Sequence, residues 1–315
     1  MSYDLAFLVR EGENPPTGDS FRQHFRSRRG YKEQANQFWY QNEDTGVYFS
    51  FDLHDDEGGA DSEEAESVSD GLKPTCLSFN MNYFRPHVFG LEAERELSAL
   101  VARFSVLVDD PQSDGMARGA YSGAGFLRGW NAGNLFGHRA ILSQMAKGNP
   151  PASSPNMDAL PRETLENIWR WNYRRHDLQQ DLGDDVFVPG IRLVRNDGGP
   201  RSFVVWGDAI PLAVPEVDLI VLVRDELAPR RLFGRKRDTC LVTWAALRPL
   251  LGLGRRVEGE TPYTRFEYGA APAPIVDFFR HQPSHAAKLE GLSADQVLTH
   301  EVIEEARRTS PRPEA

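Results

Sequence analysis

Alternating apolar and polar positions in the first part of the chain predict an antiparallel sheet. The aromatic residues that follow Gln37 and Val47 flank Asp44-Thr45-Gly46, and a polar turn between two such runs is typical of a β-hairpin. Strands are predicted over Asp4 to Arg10, Gln37 to Asn42, Val47 to Leu53, Thr75 to Phe84 and Ser105 to Val108. The basic segment Arg22 to Lys32 between them shows no regular period.

One amphipathic helix is predicted between the last two of these strands, after Gly90. Its apolar residues follow the i, i+3, i+4 and i+7 spacing of one buried helix face: Leu97, Leu100, Val101 and Phe104. Strands followed by a helix and a further strand favour an α+β sheet with the helix packed on one face. Gly123 to Gly129 lies in the glycine-rich segment Gly115 to Gly137, and we expect a flexible loop there.

The second half of the chain also mixes strands and helices. A helix is predicted from Pro161, because proline favours the first helical turn and an apolar stripe follows it. Asp238 and Gly252 predict the cap and the end of another helix, and Ser293 with Gln296 predicts a capping box for the last one. Strands are predicted over Val186 to Val194, Ser202 to Trp206, Val217 to Arg224 and Tyr263 to Tyr268.

These elements predict an α+β fold of two lobes, each a mainly antiparallel sheet with packed helices. Lys147 to Pro155 (KGNPPASSP) has the composition of a linker and marks the division. We expect residues 1–155 to form an N-terminal lobe with an acidic loop at 54–70. Residues 156–308 would form the C-terminal lobe, and residues 309–315 a disordered tail.

Charge and cysteine content narrow the classes of function. The chain has 46 acidic and 36 basic residues and a net charge of -10, which favours a basic partner over nucleic acid or anionic lipid. Its only cysteines, Cys76 and Cys240, have no paired spacing, so neither a disulfide framework nor a Cys-based zinc site is predicted. The start of the chain shows no signal peptide or membrane span, and we expect a cytoplasmic protein.

The most unusual charge pattern is the run HDDEGGADSEEAESVSD, which links two predicted strands. It contains no Lys or Arg, and its acids are Asp55, Asp56, Glu57, Asp61, Glu63, Glu64, Glu66 and Asp70. Such a segment is either a solvated insertion or an electrostatic attractor for a basic surface. A basic counterpart, Arg230 to Arg237, could contact phosphates, but direct nucleic-acid binding is not expected of so acidic a chain.

The chain contains only incomplete forms of known reactive motifs, and no catalytic residue, metal ligand or cofactor is predicted. Gly123 to Gly129 does not fit a dinucleotide-binding loop, and Ser122 lacks the glycine of a nucleophile elbow. His300-Glu301 has no second histidine at the spacing of a helical zinc pair. His54-Asp55-Asp56 and His176-Asp177 carry groups suited to acid and base work, which leaves an enzyme as an open alternative.

Four segments give the first 140 or so residues a resemblance to a known family. They are VYFSFD (47–52), NYFRPHVFGLEAE (82–94), VLVDDPQ (106–112) and FLRGWNAGN (126–134). In their aromatic and turn patterning they resemble the immunity proteins of bacterial polymorphic and type VI secreted toxins, in particular the immunity-52 type group. The resemblance implies an inhibitor without chemistry of its own, which binds a cognate nuclease-type toxin.

The charge of the chain suggests how such an inhibitor would act. Its acids Asp55, Asp56, Glu57, Glu63, Glu64 and Glu66 would attract a basic toxin, while an exposed aromatic anchor near Trp130 would hold it. The alternatives are an enzyme with a hydrolase-like site at His54 or His176, and an adaptor of a secretion assembly. The oligomeric state is left open.

Overall fold

The computed structural model of the chain describes residues 1–54, 71–146, 158–196, 199–231, 234–235, 237–285 and 289–309. The chain divides into two compact units, Met1–Met157 together with Asp295–Ala315, and Asp158–Ala294. The first division lies two residues after the predicted boundary at 155/156. The end of the chain, by contrast, belongs to the first unit rather than to the C-terminal lobe.

The first unit is built around an antiparallel sheet with helices on one face. Its elements up to residue 146 are β1 (Ser2–Arg10), α1 (Gly18–Arg26), β2 (Tyr31–Gln34), β3 (Gln37–Gln41), β4 (Tyr48–Leu53), β5 (Leu72–Asn82), α2 (His87–Phe104), β6 (Leu107–Asp110), β7 (Ala117–Gly119) and α3 (Gly123–Ala146). The strand order is β2-β3-β4-β5-β1-β6-β7, and every neighbouring pair is antiparallel. The predicted hairpin and strands of this unit are confirmed.

Helix α1 and strand β2 occupy the basic segment that shows no regular period. Thr17 caps α1 by accepting a hydrogen bond from the backbone N–H of Ser20 at 3.2 Å. Phe21 and Phe25, four residues apart, are the buried positions of this helix. Two apolar residues among arginines are too few to show a helical period in the sequence. The helix is instead stabilised by packing of these two rings against the sheet.

The expectation of a flexible loop at Gly123 to Gly129 is wrong, because these residues open the long helix α3. From Gly125 onwards glycine recurs at every fourth residue, at Gly129, Gly133 and Gly137, which places the four on one helix face. A Cβ at Gly133 would meet the Tyr83 ring at 2.3 Å, and one at Gly137 would meet the Phe84 ring at 2.7 Å. Close packing therefore outweighs the low helix propensity of glycine.

The second unit carries its helices on smaller sheets. Its elements are β8 (Asp158–Leu160), α4 (Arg162–Leu182), β9 (Arg192–Asn196), β10 (Gly199–Gly207), β11 (Leu212–Pro215), β12 (Leu219–Arg224), β13 (Arg230–Arg231), β14 (Gly234–Arg235), β15 (Asp238–Thr243), α5 (Trp244–Leu251), β16 (Arg255–Val257), β17 (Tyr263–Phe266), α6 (Ala273–His281) and β18 (Glu290–Leu292). One sheet has the order β15-β12-β10-β9-β18 and another the order β11-β17-β16. Only the β10–β12 pair of these two sheets is parallel in the described residues. The α+β fold with two mainly antiparallel lobes is confirmed.

Two boundaries in the second unit differ from the sequence interpretation. Asp238 does not cap a helix, because residues 238–243 pair with β12 as the strand β15. Thr243 caps α5 instead, accepting from the N–H of Ala246 at 3.3 Å, and the helix ends at Gly252 as expected. The strand predicted from Val186 begins only at Arg192. Residues 238–243 alternate between the two faces of the sheet, as strand residues do. A helix that started at Asp238 would not have this period of two.

The last elements return to the first unit. A 3-10 turn at Ala294–Gln296 precedes β19 (Val297–Thr299) and α7 (His300–Thr309). Thr299 caps α7 by accepting from the N–H of Val302 at 3.3 Å, which replaces the expected box of Ser293 and Gln296. Helix α7 packs against α3, and Arg139 forms an ion pair with Glu305 at 3.2 Å. This packing assigns the end of the chain to the first unit.

Candidate functional site

The two faces of the first unit's sheet differ sharply in chemistry. The inner face, beneath α1, α2 and α3, is aromatic and buried: Phe38, Tyr40, Phe49, Phe51 and Phe79. The outer face, here called the open face, carries the alternate positions of the same strands. From the register, its side chains include Asp4, Lys32, Gln34, Gln37, Trp39, Gln41, Tyr48, Ser50, Asp52, Ser78 and Asn80.

A buried carboxylate of α2 holds the β3–β4 hairpin in place. Glu92 is fully buried, and its Oε1 accepts hydrogen bonds from Tyr40 Oη at 2.7 Å, Asn42 Nδ2 at 2.8 Å and Thr45 Oγ1 at 3.2 Å. Three donors share one acceptor atom in a low-dielectric environment, where each bond is strong and each loss costly. The hairpin that carries Trp39 is therefore fixed to the helix beneath it.

A second carboxylate, one helical turn further along α2, ties the edge of the sheet to the same helix. Glu96 binds the Arg28 guanidinium through two hydrogen bonds, at 2.8 and 2.9 Å, and accepts from Tyr31 Oη at 3.1 Å. Burial, reinforced by the neighbouring Glu96 charge, raises the pKa of the Tyr31 phenol well above its ordinary value. Tyr31 therefore stays a neutral donor, and the edge strand β2 is held against α2.

The segments that carry the family resemblance converge in the fold. The ring of Tyr83 stacks on Trp130 with centroids 5.4 Å apart, and its hydroxyl donates to Gln112 Oε1 at 3.1 Å. Asp110 accepts from the hydroxyl of Tyr3 and from the N–H of Met116. Burial, with the Asp110 carboxylate beside it, raises the pKa of the Tyr3 phenol far above its ordinary value. These contacts connect β1, β6, α3 and the segment that follows β5 within one packed cluster.

Trp130 belongs to that buried cluster and does not reach the surface. Its exposed fraction is 0%, and a Cβ on Gly90 of α2 would lie 2.4 Å from its indole ring. Trp130 itself therefore offers no surface anchor, because the stripe of glycines draws α3 so close to the sheet that the indole is enclosed. The exposed aromatic of α3 is Phe136, at 67% exposure.

The same cluster shapes a strained turn that reaches the open face. Phe84 adopts a left-handed backbone conformation, with φ of 66°, which is rare for a bulky residue. The side-chain oxygen of Asn134 stabilises it by accepting from the N–H of Phe84 at 2.7 Å and from that of Arg85 at 3.4 Å. The turn places the Arg85 guanidinium 5.3 Å from the ring centre of Tyr48. Backbone strain of this kind is often retained where it positions functional side chains.

Tyr48 and Trp39 line a groove on the open face. The groove has a volume of about 550 Å³ and is also lined by Lys32, Gln34 and Gln41. Trp39 is 41% exposed, although it lies between the buried Phe38 and Tyr40 in the chain. Burial raises the pKa of the Tyr48 phenol while the adjacent Arg85 opposes the rise, so the hydroxyl stays protonated. The groove thus combines two aromatic rings with amide groups on a rigid hairpin.

Carboxylates on the open face bind neutral donors. Asp52 accepts from Gln37 Nε2 at 2.6 Å, and Asp4 accepts from the hydroxyl of Ser2 at 2.8 Å and from Asn80 Nδ2. Within the described part of the chain, neither Asp4 nor Asp52 forms an ion pair. These two carboxylates are oriented and can each bind a positively charged group of a partner, whereas Lys32 and Arg85 carry positive charge beside the groove of the same face.

The two histidines considered for catalysis belong to different units. His54, at the end of β4, has its Nε2 2.8 Å from the hydroxyl of Ser78 on the open face. His176 lies on α4 in the second unit, with its Nε2 3.1 Å from Gln180 Nε2. Among the described residues, no group of three or more His, Cys, Asp or Glu side chains is arranged to hold a metal ion. Among the described residues, His54 has a potential nucleophile beside it, the hydroxyl of Ser78, whereas the neighbour of His176 is the amide of Gln180.

The acidic residues proposed to attract a partner lie outside the described residues. These are Asp55, Asp56, Glu57, Glu63, Glu64 and Glu66, in the stretch that connects β4 to β5. The side chains of the basic segment are likewise outside them up to residue 236, whereas Arg237 forms an ion pair with Asp225 at 3.5 Å. The geometry of the open face given above is therefore that of described residues alone.

Comparison with known proteins identifies no relative of this chain. No family model, curated protein or solved structure matches the chain. In the part of the chain that the structure describes, no helix combines the length and apolarity needed to cross a bilayer. Assignment of function therefore depends on the chemistry of the surface.

Proposed function

We propose that this chain is an immunity protein, which binds and occludes a cognate secreted toxin through the open face of the first unit. The observation that carries the proposal is the exposed Trp39 beside Tyr48, on a rigid polar face whose carboxylates are not neutralised. The family resemblance supports it, because the segments that carry the resemblance pack together beneath this face and position Tyr48.

The chemistry of the face fits a basic nuclease-type toxin. An enzyme that binds phosphate groups presents cations around its active site, and Asp4 and Asp52 offer oriented negative charge to such a surface. Trp39 supplies the central aromatic contact, and aromatic anchors carry a large share of interface energy. The hydrogen bonds of Glu92 fix the β3–β4 hairpin and those of Glu96 fix the edge strand β2 before binding, so little ordering entropy is lost on association.

The acids at positions 55–66 act on the encounter rather than on the bound complex. Like charges at the rim of an interface mainly accelerate association, and their effect is screened by salt. We therefore assign affinity to Trp39 and its surroundings, and assign the association rate to Asp55, Asp56, Glu57, Glu63, Glu64 and Glu66. The toxin is expected to act in the cytoplasm on nucleic acid or a nucleotide.

Affinity capture followed by a protection assay tests this function. The tagged chain is used to capture proteins from its native host, and each captured protein is expressed with and without this chain. We expect a basic protein that kills cells unless the chain is co-expressed. Trp39→Ala should weaken its binding at least about tenfold and reduce protection, because an aromatic anchor is lost. Phe136→Ala is the matched control, since Phe136 is more exposed and lies on α3, beneath the opposite face.

Two results would contradict the proposal in different ways. Capture of only nontoxic components of an assembly would favour an adaptor of a secretion system. Equal loss of protection in Trp39→Ala and Phe136→Ala chains that remain folded would leave immunity standing but exclude the open face as the binding site.

The second candidate function is hydrolysis through Ser78 and His54. The 2.8 Å contact between the hydroxyl and Nε2 favours it, because a nucleophile and its base need that distance. The hypothesis predicts that Ser78→Ala and His54→Ala abolish a measurable hydrolytic activity to the same extent while the chain stays folded. Retention of toxin binding in both variants, with no hydrolysis by the unmodified chain, would exclude it.

A further inference from the structure

The turn between β10 and β11 in the second unit is unusually constrained. Asp208 and Ala209 are consecutive residues in the left-handed region, with φ of 38° and 55°. Neither is glycine, so the conformation costs free energy and persists only where surrounding contacts impose it.

Three sets of hydrogen bonds impose that conformation. The Asp208 carboxylate accepts from the backbone N–H groups of residues 225–227 at 3.0 to 3.3 Å. Tyr268 Oη donates to the carbonyl oxygen of Ala209 at 2.7 Å, and Trp206 Nε1 donates to that of Ile210 at 2.8 Å. Burial raises the pKa of Tyr268 to about 12, so its hydroxyl remains a donor. The turn is therefore rigid on both sides.

This rigid turn presents an apolar side chain to solvent. Ile210 is 43% exposed, and the neighbouring Phe187 is 41% exposed. The N–H of Phe187 donates to the carbonyl oxygen of Pro211 at 3.1 Å, and its own carbonyl accepts from the N–H of Ala213 at 2.9 Å. The two exposed side chains are thus fixed relative to each other. They line a groove of about 680 Å³, here called the Phe187–Ile210 groove.

Carboxylates surround this apolar pair. Asp184, Asp185 and Glu267 line the groove, and of the three only Glu267 forms an ion pair in the described residues, with Arg265 at 2.7 Å. Asp184 and Asp185 follow the end of α4 and are exposed. An apolar centre with a negative rim excludes an acidic ligand and complements an apolar group flanked by cations.

We propose that the Phe187–Ile210 groove is a docking site for a short segment of a partner protein that carries an apolar anchor between Lys or Arg residues. Ile210 and Phe187 contact the anchor, while Asp184 and Asp185 bind the flanking cations. Preorganisation of the turn lowers the entropic cost of this contact. The site does not rest on the proposed function, because it lies in the second unit and needs no toxin.

Selection from a displayed random-peptide library tests the site with defined probes. The full chain is the target, and a Phe187→Ser/Ile210→Ser chain removes peptides that bind elsewhere. We expect enriched peptides to combine one or two apolar residues with Lys or Arg. Fluorescence anisotropy of a synthesised peptide should then show at least about tenfold weaker binding to Ile210→Ser and to Phe187→Ser. Leu253→Ser should bind as the unmodified chain does, since Leu253 is a similarly exposed apolar residue outside the groove.

The charge of the rim gives an independent readout. Asp184→Asn with Asp185→Asn should weaken the peptide at low salt, and the difference should shrink as salt is raised. No enriched peptide, enrichment of acidic peptides, or unchanged affinity for a folded Ile210→Ser chain would each overturn the proposal. Self-association of the chain that Ile210→Ser abolishes would also overturn it, because the occupant would then be a second copy.

Discussion

The inner and open faces of the sheet in the first unit are built from alternate residues of the same strands, yet they differ in burial and in how their polar groups are paired. On the inner face, aromatic rings are buried and the polar groups beside them are paired to Glu92 and Glu96. On the open face, amides and hydroxyls surround carboxylates, and Trp39 remains exposed. The comparison shows that packing contacts concentrate on the inner face, whereas the recognition that we propose would use the outer one.

The comparison is sharpest for two tryptophans. Trp130→Ala should lower the free energy of unfolding by about 3–5 kcal/mol, because a fully buried indole leaves a cavity beside Tyr83 and Gly90. Trp39→Ala should lower it by about 1 kcal/mol or less, since only cross-strand contacts on a half-open surface are lost. Urea unfolding of both variants measures the difference. Equal losses would contradict the separation of a structural face from a recognition face.

Removal of the Glu92 side chain tests whether the inner face fixes the hairpin. Glu92→Ala leaves the donors of Tyr40, Asn42 and Thr45 without their acceptor, and each unsatisfied buried donor costs about 1–3 kcal/mol. We therefore expect a loss of about 3 kcal/mol in the free energy of unfolding. Glu94→Ala is the control: Glu94 accepts from Ser98 within the same helix, and its loss should cost less than about 1 kcal/mol.

Hydrogen exchange can separate a local effect from a global one in the Glu92→Ala chain. Protection should fall most in β3 and β4, because these strands lose their contact with α2. A uniform loss of protection over the first unit would show that Glu92 supports the whole core rather than the hairpin that carries Trp39.

A buried histidine on the inner side predicts a pH dependence of stability. His138 Nδ1 lies 2.7 Å from the carbonyl oxygen of Asn134, and Nε2 has no partner among the described residues. Burial lowers the pKa of His138 from its ordinary value of 6.5, so the unfolded chain takes up a proton at a pH where the folded chain does not. The neutral His138 therefore contributes to the free energy of unfolding above about pH 6.5, and this contribution is lost as the pH falls below that value.

His138→Phe should reduce this loss of stability at low pH. Urea unfolding at about pH 7.5 and about pH 5.5 should show a smaller decrease for the variant than for the unmodified chain. Part of the decrease in stability at low pH should remain in the variant, because burial and the nearby Arg28 also lower the pKa of His24. An unchanged decrease in His138→Phe would show that folding does not lower the pKa of His138.

Sequence patterns predicted the strands of the first unit because strand alternation is local. The run Phe38-Trp39-Tyr40 places Trp39 on the opposite face from its two neighbours, since consecutive residues on a strand point to opposite faces. The structure shows that the face of Trp39 is the outer one. Trp130 gave no such signal, because its helix was interpreted as a loop. The available signal was the recurrence of glycine at every fourth residue from Gly125 to Gly137, which is a helical spacing.

Other features depend on contacts between distant segments and could not be read locally. Glu92 and Glu96 would ordinarily be assigned to the solvated side of α2. Their burial is explained by donors from distant segments, which are the β3–β4 hairpin for Glu92 and Arg28 with Tyr31 for Glu96. The left-handed turn at Phe84 requires Asn134, which lies 50 residues further along the chain. The Phe187–Ile210 groove likewise combines segments whose individual patterns are unremarkable.

The smallest effect on stability is expected from the acidic stretch between β4 and β5. Replacement of Asp55, Asp56, Glu57, Glu63, Glu64 and Glu66 by Ser should leave the unfolding midpoint nearly unchanged, because a run of like charges without Lys or Arg has no local ion pair to lose. Association with a basic toxin at low salt should slow by about tenfold, and the difference should vanish at high salt. Asp4→Asn with Asp52→Asn is the comparison, since these carboxylates lie on the open face itself and should change the dissociation rate as well. An unchanged association rate at low salt would assign all of the electrostatic attraction to the open face.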